Sequence, residues 1–305
     1  MPRWLRNTLF ILVLLLVAAG GAYYWYFGDG NPPATVSAYV LDMDAVRAKA
    51  DELPGGRASD VRVETIGTFD FPAVASVGGD GWDNKPMAAF SYQLVLPTDT
   101  IIVDSAFNAA LGASLGAKID EDAYARMDVA LSQATQIVVT HEHPDHIGGI
   151  VVYNDPLEIA KALRLTKEQV ESLPRYNLSW PEELKDYAPL AYDGMLAIAP
   201  GVVLIRAPGH SPGSQMVFVK RDDGREMLFV GDIGWTMRNI ETGKGRPRVL
   251  SQFMLNEDRD AVFAELATLK ALHAAEPDLL IVPGHDVAAI DALVAGGAMN
   301  RGFKL

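Results

Sequence analysis

The chain has 305 residues, 49% of them hydrophobic and 21% charged, with a formal net charge of −13 and no cysteine. That composition is ordinary globular material with ample apolar side chain for a core. The missing cysteines exclude a disulfide framework and any thiolate ligand, and the acidic excess argues against a polyanionic partner such as nucleic acid.

Residues 1–27 differ from the rest. Arg3 and Arg6 precede an aliphatic run from Thr8 to Ala19, and Gly20-Gly21-Ala22 leads into Tyr23-Tyr24-Trp25-Tyr26-Phe27. Thr8 to Phe27 is about 20 uncharged residues, enough to cross a bilayer as a helix. Its aromatic end would sit at the far interface and its positive end in the cytoplasm. The competing possibility is a cleaved signal peptide, with Leu9 to Ala19 as its apolar core and Gly20-Gly21-Ala22 as its small-residue site. The aromatic belt prolongs the span past that site and favours a retained anchor. Either way the remainder is expected on the periplasmic side of a bacterial inner membrane. Residues 28–59 read as a linker, breaker-rich at Gly28 to Pro33, and a short helix from Asp42 to Leu53. Residues 60–305 form the remaining domain.

Val61 to Phe69 alternates as a strand. Phe71 to Ala88 reads as a loop that returns as a hairpin, and Phe90–Val95 and Thr100–Val103 read as further strands. Asp120 to Ala134 is a helix, with Ala123, Met127, Ala130 and Leu131 at helical spacing. Gln136 to Thr140 is a short β-branched run, hence a buried strand, and it delivers His141-Glu142-His143-Pro144-Asp145-His146. Three of the six histidines fall here. Residues two apart in extended chain point the same way, so His141 and His143 can hold one metal ion. Asp145 and His146 lie past the Pro144 turn and point elsewhere, toward a second. Glu142 is offset from both histidines and faces away. A polar loop merely rich in histidine is the bland alternative. Imidazole and carboxylate donors suit zinc, and also iron, manganese or cobalt.

Ile147 to Tyr153 is expected to start a helix whose first turn is set by Gly148-Gly149. Residues 154–190 form a polar, helical insertion, a lid or packing element, with capping boxes at Thr166–Gln169 and Ser179–Glu182. Strands follow at Val202–Arg206, Gln215–Lys220 and Glu226–Val230, then a helix from Glu257 to Ala275 and a strand from Asp278 to Val282. Three of these strands end in a candidate ligand beside a glycine: His210, Asp232 and His285. His273, on the long helix, belongs to no cluster and is a surface or packing residue. Strands followed by a helix in each half point to two sheets packed face to face with helices outside.

The run HxHxDH, followed by a histidine, an aspartate and a last histidine, resembles the metallo-β-lactamase-fold hydrolases over about residues 60–290. The resemblance implies an α+β fold, the αββα sandwich, with two divalent metal ions, zinc foremost, along one edge between the sheets. It puts His141, His143 and His210 on the first ion, Asp145, His146 and His285 on the second, and Asp232 between them. Asp104, ending Ile101-Ile102-Val103, matches the family's first motif and would support a ligand by a hydrogen bond, although an aspartate ending a strand also begins turns. Such a pair of ions brings a shared water toward a pKa of about 7. Asp145 would be catalytic, orienting that nucleophile or passing a proton to the leaving group, as in related lactonases.

The bond attacked is less constrained. Asp232 stands where true metallo-β-lactamases carry Cys or Ser. Gly284-His285-Asp286 looks like the last motif of N-acyl-homoserine lactonases. Trp235, however, replaces the tyrosine those lactonases carry and cannot give a phenolic hydrogen bond. The loop bearing Phe71, Trp82 and Met87 corresponds to a region that overhangs the metals in relatives, or else closes the core beneath it. Phe71, Trp82, Trp235, Phe253 and Met254 are the expected pocket wall, suited to the acyl chain of a small ester or lactone. The alternatives are a phosphodiesterase or phosphotriesterase, a β-lactamase, a thioesterase, an iron-dependent thiol dioxygenase, and a non-catalytic membrane-tethered binding module.

Overall fold

Neighbouring residues of the central strands point into different cores, and that alternation builds the layers. The computed structural model describes residues 1–114 and 116–305. Among these, eleven strands form two sheets: β1 (Asp60–Pro72), β2 (Asn84–Val95), β3 (Thr100–Val103), β4 (Lys118–Ile119), β5 (Gln136–Val138), β6 (Met195–Ala199), β7 (Val202–Arg206), β8 (Gln215–Lys220), β9 (Glu226–Gly231), β10 (Leu279–Pro283) and β11 (Asn300–Arg301). The first sheet runs β11-β1-β2-β3-β5, with β4 beside β1, and the second runs β10-β9-β8-β7-β6.

Val63, Phe90, Tyr92, Ile101 and Val103 of the first sheet meet Leu204, Val217, Val219 and Phe229 of the second, forming the central core. Their sequence neighbours face outward. Ile66, Ala89, Ile102 and Ile137 pack under the helices Glu121–Gln133 and Pro144–Val151. Val203, Phe218, Leu228 and Ile281 pack under Met43–Ala50 and Arg259–Ala275. Strands covered on both faces read as unbroken apolar runs, as these do. Each fully buried aliphatic or aromatic side chain contributes about 1.5–3 kcal/mol, so these three cores dominate the fold's stability. The result is an α/β sandwich with helices on both outer faces.

Several local expectations shift. β2 begins at Asn84, six residues ahead of Phe90, because pairing with β1 continues out to Pro72↔Asn84 although Asn84, Lys85 and Pro86 are exposed. Gly148 and Gly149 do not start their helix. His143 is its N-cap and Pro144 its first residue, where a fixed φ and a missing N–H cost nothing. The two glycines instead let the helix touch the chain at Ser105 and Ala106, where any side chain would collide with a backbone carbonyl. The capping box forms at Thr166 and Gln169 but not at Ser179, because the short 3-10 turn starts only after Pro181.

The N-terminal helix spans Arg3–Tyr23 and continues as a π-turn, Tyr24–Gly28. It is long and apolar enough to cross a membrane, with a mean hydropathy of 2.0 and no part of that apolar window buried. The chain beyond it lies against the domain. Gly245 N–H donates to Gly30 O at 2.9 Å, Arg259 donates to Asp29 O at 2.7 Å, and Arg248 pairs with the Asp29 carboxylate at 2.9 Å. Val36, Tyr39 and Leu41 then pack onto the outer core of the second sheet. The breakers at Gly28 to Pro33 bend the chain, and these contacts fix it.

Candidate metal centre

All the strand-end side chains meet at one edge of the sandwich. Two residues past β5 stands Thr140, whose N–H and hydroxyl both donate to the Asp104 carboxylate, at 2.6 Å and 2.9 Å. Asp104 adopts φ +62°, a left-handed conformation costly for a residue with a side chain. Its other contact accounts for that cost: Asp104 Oδ2 lies 2.9 Å from His146 Nδ1 and fixes that ring with Nε2 turned inward. Gly231, at φ +51°, brings the end of β9 against Thr140, 2.8 Å from where a Cβ would stand. At Gly284 an added Cβ would strike Asp232 itself. Both glycines exist because the ligand loops touch there.

Two groups of donors result, His141, His143, His210 and Asp232, and then Asp145, His146 and His285. Asp232 turns one oxygen to each. Oδ2 is 3.7 Å from His141 Nε2 and 3.4 Å from His210 Nε2, whereas Oδ1 is 3.4 Å from His146 Nε2 and 3.1 Å from His285 Nε2, which also lies 3.3 Å from Oδ2. Donors about 2.0–2.1 Å from a tetrahedral ion stand roughly 3.3 Å apart, which is the spacing seen here. His141 Nε2, His146 Nε2 and Asp232 Oδ1 are buried and have no hydrogen-bond partner among the described residues. A buried polar atom without a partner costs about 1–3 kcal/mol, and ions ligated here would satisfy these atoms together. The donor set fits a pair of divalent cations.

The electrostatics divide the rings into two kinds. Burial opposes charge on His141, His143, His146 and His285. It prevails at His141 and His143, which are held well below the usual histidine range and therefore neutral, as ligands must be. At His146 the carboxylates of Asp104, Asp232 and Asp145 outweigh burial and raise the pKa, and Asp232 does the same at His285. Asp232 is itself buried, yet His285, His146 and His141 hold it well below the carboxylate range.

The metallo-beta-lactamase superfamily pattern matches residues 85–285. The chain belongs to that superfamily. An N-acyl homoserine lactonase of Bacillus thuringiensis is 30% identical over 112 residues, a stretch covering 34% of this chain and 40% of that relative. The similarity therefore spans well under half the length of the curated relative. Among solved structures, an N-acyl homoserine lactone hydrolase with N-hexanoyl-L-homoserine at its catalytic metal centre superposes with a TM-score of 0.60 at 18% identity, covering 77% of this chain and 96% of that one. A dizinc quorum-quenching lactonase superposes at 0.51 with 16% identity, covering 77% and 90%. At such identities the likeness concerns the fold.

This superfamily member has support around its donors that sequence spacing did not reveal. Glu257 Oε1 lies 2.6 Å from His210 Nδ1 and accepts from Arg246 Nε at 2.7 Å. Arg246, 1% exposed, also donates to Asp232 O at 2.7 Å and lies 4.9 Å above the Trp235 ring. Glu257 is buried, which opposes ionisation, but Arg246 and His210 outweigh this and lower its pKa. Glu142 turns away from the donors and clips the His210 loop in place, accepting from Ser211 Oγ at 2.8 Å and Gly213 N at 3.2 Å. Asp286 caps the next helix. His273 lies partly exposed on the long helix, away from the donors.

A cavity of about 370 Å³ opens onto the donors, walled by Phe69, Phe71, Met87, Trp235, Leu250 and Leu255. A larger surface cleft, about 850 Å³, lies at the opposite end of β9 and β10 and contains no histidine. The expected wall needs correction. Phe71 and Trp235 line the cavity, and Met254 stands at its rim, 70% exposed. Trp82 and Phe253 do not line it. Trp82 donates from Nε1 to the Tyr23 hydroxyl at 2.8 Å and packs against Phe27, while Phe253 packs against Trp25 and Tyr26. The N-terminal aromatic residues have claimed both. The insertion supplies Arg175 and Tyr176 to the cavity instead.

The Asp104 contact gives a specific expectation. In Asp104→Asn the amide nitrogen can face His146 Nδ1 as a donor, which puts the ring proton on Nε2, where an ion should bind. Metal affinity at the His146 group should fall about 10–100-fold, measured by zinc competition against a chelating dye, with the circular dichroism spectrum unchanged.

Proposed function

We propose that this chain is a dizinc lactonase or esterase acting on small N-acyl lactones, held at a bacterial inner membrane by a retained helix with its catalytic domain on the periplasmic side. The observation that carries the hydrolase reading is Asp232, one oxygen toward each histidine group, at the floor of an apolar cavity. The names of the relatives support the lactone, and about 370 Å³ falls within the range of small-molecule sites. Arg3, Arg6 and the exposed apolar helix support the anchor. The aromatic run Tyr23 to Phe27 prolongs the apolar span past Gly20-Gly21-Ala22, which supports its retention.

Bound there, the two ions would supply Lewis acidity and a lowered water pKa. The remaining work falls to side chains. Asp145, 3.5 Å from His285 and 19% exposed where the other donors are sealed, borders the cavity and can carry a proton to the leaving oxygen. The indole N–H of Trp235 is committed to Asp232 Oδ2 at 2.6 Å, so its ring offers the substrate only an apolar face. Tyr176 stands on the other wall with its ring 4.3 Å from His143, and burial pushes its phenol up to about 12. It stays protonated and is our candidate for the donor that Trp235 lacks.

Turnover of acyl-homoserine lactones, simple lactones, aryl esters, β-lactams and phosphotriesters by metal-loaded protein tests this. Lactones and esters should dominate. Turnover confined to phosphotriesters would replace the assignment with the phosphoesterase alternative. For the anchor, intact mass from membranes should match the full chain. A deficit of about 2 kDa would mean cleavage.

A further inference from the structure

The anchor and the cavity mouth are not separate features. Arg6 to Tyr23 spans about 26 Å of helix and Arg6 to Phe27 about 32 Å, at 1.5 Å per residue, against a hydrocarbon core of about 30 Å. With Arg6 at one surface, Tyr23 to Phe27 therefore lie at the other. Trp82 is hydrogen-bonded to Tyr23 and Phe253 is packed on Trp25 and Tyr26, so both share that depth. Yet Trp82 is 55% and Phe253 62% exposed to solvent despite these contacts. Phe253 adjoins Met254, which is 70% exposed and forms the cavity rim. Exposed apolar side chains thus stand between the helix end and the mouth of the active site. Exposed large aromatic residues that continue a membrane span are suited to an interface, where an apolar ring and a polar tip are both satisfied. Asp29, Arg248 and Arg259 hold the helix end against the domain and keep the mouth facing that plane.

We propose that the cavity mouth lies on the bilayer surface and that the substrate is an amphiphile whose acyl chain enters from the membrane past Phe253 and Met254. This rests on the anchored-hydrolase reading and specifies the substrate's source. The cysteine-free chain permits a direct test. Full-length single variants Leu12→Cys, Trp82→Cys, Phe253→Cys and Asp222→Cys, each carrying an environment-sensitive fluorophore, are reconstituted in phosphatidylcholine vesicles. Asp222 is exposed at the end of the sandwich opposite the donors. Labels at 12, 82 and 253 should shift to the blue, be quenched by brominated lipid and lose iodide quenching, whereas the label at 222 should do the reverse. Immersion at 12 with iodide access at 82 and 253 overturns the proposal while leaving the anchor intact. Iodide access at 12 removes the anchor and the proposal together. A second arm compares aryl esters of short and long acyl chains. The Trp82→Ser/Phe253→Ser double variant should lose kcat/KM several-fold on the long ester in vesicles and keep it on the short one, and equal loss on both contradicts membrane entry. Fluorophore immersion without ester turnover would instead count against the hydrolase assignment.

Discussion

Replacing Asp232 with alanine is expected to lower turnover by at least about a thousandfold, since the ions it would share contribute several kcal/mol of transition-state stabilisation. The expectation follows from geometry. Among the described residues no other carboxylate lies against both histidine groups, and Asp145 stands only with His146 and His285. Asp232→Asn keeps the volume and the hydrogen-bonding reach but removes the negative charge that offsets two cations, so it should lose nearly as much. Metal analysis must accompany the rates. Both variants should retain less than the full pair of ions, and an Asp232→Ala protein with full metal content and near-normal rates would remove the bridging role. Removing the metal from the parent protein should also lower its thermal stability. Ligand present at a thousandfold excess over its dissociation constant stabilises by about 4 kcal/mol, and chelation forfeits that.

The second large effect lies one residue beyond the ligands. In Glu257→Ala the buried Arg246 guanidinium keeps its contact with Asp232 O but loses its carboxylate. Breaking a buried ion pair from one side costs about 3–5 kcal/mol, and a Tm lower by about 10 °C should result. His210 Nδ1 loses its acceptor in the same stroke, so metal affinity should also fall about 10–100-fold. The two consequences can be separated. The double variant Glu257→Leu/Arg246→Met removes both charges and should recover much of the stability, but not the metal affinity. If affinity returns with stability, the contact between Glu257 and His210 does not orient that ring.

What sequence could convey here depended on range. The seven donor residues named from sequence lie together, because they stand on the loops and the one helix start that follow short apolar strands, and such strands are local features. The two-sheet layering was legible for the same reason: apolar runs such as Val202 to Ile205 must be covered on both faces. Glu257 was visible only as a helix-start acid. Its pairing with His210, 47 positions away, and with Arg246 is made by tertiary packing that no spacing records. Tyr176 was hidden in an insertion whose polar, helical pattern specifies no direction toward the cavity. Trp82 and Phe253 failed as wall residues because aromatic character alone does not choose between two apolar neighbours. The end of the N-terminal helix, not the substrate cavity, took them. The Ser179 cap failed locally, since Pro181 already set the dihedral from which the next turn starts.

The most direct measurement is metal stoichiometry, by inductively coupled plasma mass spectrometry, on protein reconstituted with zinc and freed of excess. Two ions per chain are expected in the parent and about one in His285→Ala, which dismantles the group containing Asp145 and His146 while leaving His141, His143 and His210 in place. A parent protein that binds no metal under these conditions would contradict the account outright.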